Sequence, residues 1–150
     1  MLIFISQKTY YALKAAIELA QHSRSGKAVK VAQIAQSQDI PPKFLEAILT
    51  QLKWAQIVTS TRGAAGGYHL KRAPAEISAA MVINAVQGPL DIVGQVSKAG
   101  QTLSSTDNVL SAMFRQVEQV VDQVFGSLTL QELIDRQDEL LDNYVARYTI

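Results

Sequence analysis

A mainly α-helical protein with one small β-hairpin is the fold class that the sequence predicts, and three observations predict it. Apolar residues recur at helical spacing in two short segments joined by a tight turn, first at Val31, Ile34 and Ala35, then at Phe44, Leu45, Ile48, Leu49 and Leu52. Two runs of strand composition, residues 57 to 62 and 68 to 71, flank the glycine-rich stretch Gly63-Ala64-Ala65-Gly66-Gly67. A later segment repeats its apolar residues every seven positions, at Leu103, Leu110, Met113, Val117, Val120 and Val124. Together they describe a winged helix-turn-helix domain followed by a long C-terminal dimerisation helix.

In chain order, the first helix starts after Ser6, carries Tyr10, Leu13, Ile17 and Ala20 on its apolar face, and ends toward Gly26. The second stops at Gln38-Asp39, and Pro41-Pro42 opens the third, since proline suits a first helical turn. After the hairpin, Ser78 is a helix cap ahead of Met81, Val82, Ala85 and Val86, and Gly88-Pro89 is the stop. The long helix runs from Ser105 or Thr106 to about Phe125, where Gly126 ends it. Thr129 to Glu132 reads as a capping box for a last helix bearing Leu133, Ile134, Leu140, Leu141 and Tyr144. The expected organisation is a DNA-binding domain over residues 1–89, a loop and sensing region over 90–105, and a dimerisation helix plus C-terminal helix over 106–150.

The 150 residues, 48% of them hydrophobic, suffice for one ordinary core. With no cysteine, disulfides, thiolate nucleophiles, zinc-thiolate sites and cysteine-ligated iron-sulfur clusters are excluded. The apolar start Met1 to Ile5 is too short for a signal peptide or a membrane span, so the expected compartment is the cytoplasm and no membrane partner is expected. The net charge of +1 conceals a split. Residues 1 to 75 hold ten basic side chains against three acidic ones, and residues 76 to 150 hold four against ten. A phosphate backbone attracts the first half and is repelled by the second, so double-stranded DNA is the expected partner of the N-terminal part.

The candidate DNA contacts follow from this arrangement. Lys43 could donate to guanine or to phosphate, Glu46 could accept from cytosine or pair with Lys43 or Lys53, and Ala47 and Thr50 could offer methyl groups to thymine. Thr59 and Ser60 carry hydroxyls for phosphate, and are also good strand formers. Arg62, at the root of the hairpin tip, has the reach and fork geometry for phosphate or a narrow minor groove, with Lys71 at the far end. Gly66 and Gly67 let the wing backbone approach closely. Tyr68 is expected to pack beneath the wing, and Trp54 to be a core or hinge residue. His22 and His69 stand at no metal-ligand spacing, the acids Asp135, Asp138, Glu139 and Asp142 form a solvated helix face, and no catalytic constellation appears, so neither a metal nor an enzyme is expected.

The wording of residues 6 to 93 resembles the Rrf2 family of winged-helix repressors, which includes the iron-sulfur regulator IscR. The resemblance rests on Tyr10 to Ala20, Val31 to Ala35, Ile40 to Leu45, Ile48 to Leu52, and above all Ser60 to Leu70, with Arg72, Pro74, Ile77 and Val86 to Leu90 beyond. It implies that the third helix enters the major groove, the wing arginine the minor groove, and that the long helix forms a homodimer through Leu110, Met113, Val117, Val120 and Val124. Cluster-bearing members place three cysteines in the loop matching residues 90 to 105, and this chain has none. The expectation is therefore a dimeric regulator, a repressor by resemblance, that binds a palindromic operator without such a cluster. Its effector, a small molecule or a regulatory protein, is expected at residues 90–105 or between the winged domain and the dimer helix. The competing reading is a winged-helix adaptor that no longer binds DNA specifically.

Overall fold

A computed structural model describes residues 5–92 and 104–149. The Ser6 hydroxyl accepts from the Thr9 N–H at 3.1 Å and starts helix α1, Gln7–His22. Its buried face is Ala12, Ala15, Ala16, Leu19 and Ala20, rather than the Tyr10, Leu13, Ile17 and Ala20 stripe. Tyr10 is exposed, and Leu13 and Ile17 are only partly covered. Four alanines let neighbouring elements approach closely, and alanine is too common along the helix to mark that face in the sequence.

Glu18 lies on this buried face as one of the few acids of the N-terminal half. Its carboxylate accepts from Gln38 Nε2 at 2.7 Å and stands 3.8 Å from His22 Nδ1, while the Lys14 ammonium donates to the Gln38 carbonyl. These bonds fasten the end of helix α2, Val31–Gln38, to α1. Glu18→Ala, which strands the Gln38 amide, is expected to cost about 1–3 kcal/mol. Urea unfolding measures this, and an unchanged midpoint would show the link to be dispensable.

Helices α2 and α3, the latter Pro42–Trp54, end by the same device. Asp39 and Gln56 take positive φ, and the next residues, Ile40 and Ile57, donate back to Ala35 and Leu52 at 3.0 Å while burying their side chains. The core stripe of α3 is Leu45, Ile48, Leu49 and Leu52. Phe44 does not belong to it: the ring is exposed and meets Tyr11 edge-on, with centroids 6.3 Å apart. Trp54, expected in the core or at a hinge, is 78% exposed at the end of α3.

The hairpin consists of β1, Val58–Thr61, and β2, Gly67–Leu70, antiparallel with Val58 opposite Leu70 and Thr61 opposite Gly67. The first strand is shorter than the composition suggested, and the second has the expected length but starts one residue earlier, at Gly67. A third edge was not foreseen: Val29 and Tyr68 exchange two backbone hydrogen bonds of 2.8 Å, which ties the wing to the segment before α2. Tyr68 packs against the core as expected.

Ser78 caps helix α4, Ala79–Gln87. Helix α5, Ser105–Ser127, opens with a reciprocal cap between Ser104 and Asp107, and the hydrogen bonds from Ser104 hold the Asp107 carboxyl below the usual carboxylate range. The helix runs through Gly126, so that glycine is not the stop. Helix α6, Leu130–Tyr148, is capped by Thr129, whose hydroxyl accepts from the Glu132 N–H at 3.1 Å. The return half of a capping box is missing because Glu132 is turned to Arg136 at 2.8 Å.

Leu130 and Ile134 join the core of the winged domain, and backbone bonds from Ala79 to Leu128 (2.7 Å) and from Leu130 to Ile77 (2.8 Å) pin the α5–α6 junction to it. The last helix, grouped in sequence with the dimerisation segment, is thus built into the N-terminal core at its first turns. Farther along, Leu140, Leu141 and Tyr144 are exposed. No helix among the described residues is long and apolar enough to cross a membrane.

Candidate nucleic-acid interface

With one face of α3 committed to the core, Lys43, Glu46, Ala47 and Thr50 are left exposed at spacings of three, four and seven, on a single opposite face. Glu46 pairs with neither Lys43 nor Lys53. Thr50 donates its hydroxyl to the Glu46 carbonyl at 2.9 Å, so it offers outward its methyl group and an oxygen that can only accept. The face therefore presents, in order, a cation, a carboxylate and two methyl groups, a set able to read base edges in a major groove.

The wing is fastened beside this helix. Lys53, in the last turn of α3, donates to the Ser60 hydroxyl on β1 at 2.6 Å. Composition alone did not mark Lys53, and its position three residues beyond Thr50 was the available signal. Lys71 donates to the Gln56 side chain, so Lys53 ties β1 to the last turn of α3 and Lys71 ties the hairpin base to the turn that follows it. Thr59, opposite His69, is partly covered by the sheet.

Arg62, directly after β1, is exposed and has no ion pair among the described residues, so its guanidinium is free to meet an external anion. Gly66 and Gly67 have a packing role beyond the expected close approach. A Cβ on Gly66 would lie 2.5 Å from the Thr61 carbonyl oxygen, and one on Gly67, where φ is +149°, would lie 2.5 Å from that of Val29. Only glycine lets the tip close and β2 reach Val29.

Helix α5 carries two stripes about 80° apart around its axis. Phe114, Val121 and Phe125 are partly covered, and the latter two line a slot against α4. The inward stripe was missed in sequence because the seven-residue repeat dominated the pattern. Leu110, Met113, Val117, Val120 and Val124 form the other stripe and are each 45–54% exposed. Leu103, and most of the loop expected to act as a sensor at residues 90–105, lie outside the described residues. The slot between α4 and α5, one place where an effector was expected, encloses only about 20 Å³, room for roughly one water.

The described residues contain no group of three or more metal-ligating side chains. The chain has no cysteine, and residues 93–103 also lack histidine, aspartate and glutamate. The donor set does not fit a cysteine-ligated cluster. Asp135, Asp138, Glu139 and Asp142 are exposed on α6, and His22 and His69 are partly buried.

Known proteins are similar to this chain in sequence and fold. The Rrf2 family, described as an iron-dependent transcriptional regulator, matches residues 5–136. A protein of Mycobacterium tuberculosis H37Rv named as an HTH-type transcriptional regulator is 34% identical over 148 residues, covering 95% of this chain and 91% of its own. IscR of Xenorhabdus nematophila is 33% identical over 137 residues, covering 91% and 82%. Among solved structures, CymR, the global cysteine regulator of B. subtilis, superposes with a TM-score of 0.75 at 29% identity over 90% of this chain and 98% of that one. T. potens IscR superposes at 0.73, also at 29% identity, over 92% and 90%. These relatives are transcriptional regulators and not enzymes. An exposed face on the third helix, an unpaired arginine on a glycine-closed wing and agreement along nearly the full chain lead to one conclusion: this protein belongs to the Rrf2 family of winged helix-turn-helix transcriptional regulators.

Proposed function

We propose that the protein is a sequence-specific, cytoplasmic DNA-binding repressor that acts as a homodimer on a palindromic operator and works without a cysteine-ligated iron-sulfur cluster. The observation that carries the reading is the pairing of the exposed Lys43, Glu46, Ala47 and Thr50 face with the unpaired Arg62 on a wing braced beside it. The excess of basic side chains in residues 1 to 75 supplies the attraction to phosphate. Thr59, Ser60 and Lys71 stand along the same hairpin, where their roles are to support the wing and meet the backbone. Two recognition helices in a symmetric pair read half-sites about 34 Å apart.

Selection of bound duplexes from a random pool at physiological salt tests this reading. A two-fold symmetric motif is the expected product, and weak, sequence-blind binding would favour the adaptor reading. Arg62→Ala is expected to weaken operator binding by roughly 10- to 100-fold and to lower the salt slope by about one. A variant that binds as tightly as the parent would remove the wing from recognition. A reporter carrying the selected operator across its promoter then reads the direction of regulation, with loss of expression expected.

A further inference from the structure

A hollow of about 450 Å³ opens where the end of α1, the base of the wing and the first turn of α6 meet. Arg24, Lys27 and Arg72 line it together with His22, His69 and Gln131, and no carboxylate does. The three cations are exposed and take part in no ion pair among the described residues. The nearby acids are engaged elsewhere: Glu18 with Gln38 and His22, and Glu76 with the Ala73 N–H at 3.1 Å. Leu70 and Pro74 add an apolar wall. The volume falls within the range of small-molecule sites, which commonly combine apolar walls with a few convergent polar groups.

We propose that this hollow binds a small anionic molecule, a polycarboxylate or a phosphate ester, whose oxygens are held by Arg24, Lys27 and Arg72. Its placement argues for a ligand more than for DNA. Leu70 and Arg72 stand at the hairpin base, with Leu70 opposite Val58, whereas the tip follows the Thr61 and Gly67 pair some 10 Å along the strands. Gln131 comes from α6, outside the basic half. A second hollow of about 560 Å³ shares Lys27 and His69 and continues to Thr61, which gives an occupant a path of contact from α6 toward the wing tip. The site does not depend on DNA binding and can be tested without it.

Thermal unfolding of the full chain in sodium citrate, sodium phosphate, and sodium chloride of equal ionic strength provides the test. Citrate, phosphate or both are expected to raise the midpoint by about 4 °C at tenfold excess over Kd and to saturate at millimolar concentration, unlike a general salt effect. Citrate alone assigns the site to carboxylates, phosphate alone to phosphate esters. Lys27→Gln with Arg72→Gln should abolish the shift, while Arg115→Gln, on α5, should keep it. An equal response to chloride, or a response surviving the double substitution, overturns the proposal. So does a double variant that keeps the citrate shift and loses operator affinity, which would assign these cations to DNA phosphates.

Discussion

Val117→Asp is expected to leave the chain folded and monomeric, with a mass of 16.4 kDa by light scattering where the parent shows twice that. The argument starts from helix α5, whose outer stripe makes no contact within the chain deep enough to bury any of its residues. Five apolar side chains at alternating spacings of three and four are a seam for another helix. Val117 is the middle residue of that seam, so in a symmetric pair both copies of a substituted carboxylate come near the axis. An uncompensated buried charge costs about 3–5 kcal/mol. Two of them weaken self-association by on the order of a thousandfold or more. Operator binding should fall with it, because a single recognition helix reads half a site. Retention of the dimer by this variant would place the contact away from α5.

The second large effect is expected at Gly67. A valine there needs both a disfavoured φ and space that the Val29 carbonyl oxygen already occupies at 2.5 Å from the Cβ position. The neighbouring atoms are backbone and cannot swing aside as a side chain would. Relief must come from separating β2 from Val29, which breaks the two 2.8 Å bonds between Val29 and Tyr68. The expected loss is about 2–4 kcal/mol in urea unfolding, with faster amide exchange at Val29 and Tyr68. DNA affinity should drop at least as far as in Arg62→Ala, since the whole wing is displaced. Parent-like stability would mean that the tip can close by another route.

These cases also show what could be read from the chain before its fold was known. The exposed face of α3 was legible because Leu45, Ile48, Leu49 and Leu52 form a narrow buried stripe, and the residues left over make up that face. Phe44 and Trp54 misled because aromatic size suggests burial, while their helix positions point away from the core. The face of α1 was obscured by alanine, which carries little periodic signal. Glycine in the wing was recognisable as conformational freedom, but its packing against Val29 depends on a contact 38 positions earlier in the chain, and no local pattern encodes that. For the same reason the hollow near Arg24 and Arg72 could not be foreseen: its walls come from three separate stretches of sequence.

The pins at Ala79 and Leu130 have a mechanical meaning. Helix α5 has 23 residues and is about 34 Å long. It is anchored to the winged domain at its far end, like a boom hinged at its foot. A tilt of roughly 5° at that foot swings the other tip by about 3 Å, close to the rise of one base pair. In the proposed homodimer, a tilt of that size at the junction would change the calibre between two reading heads.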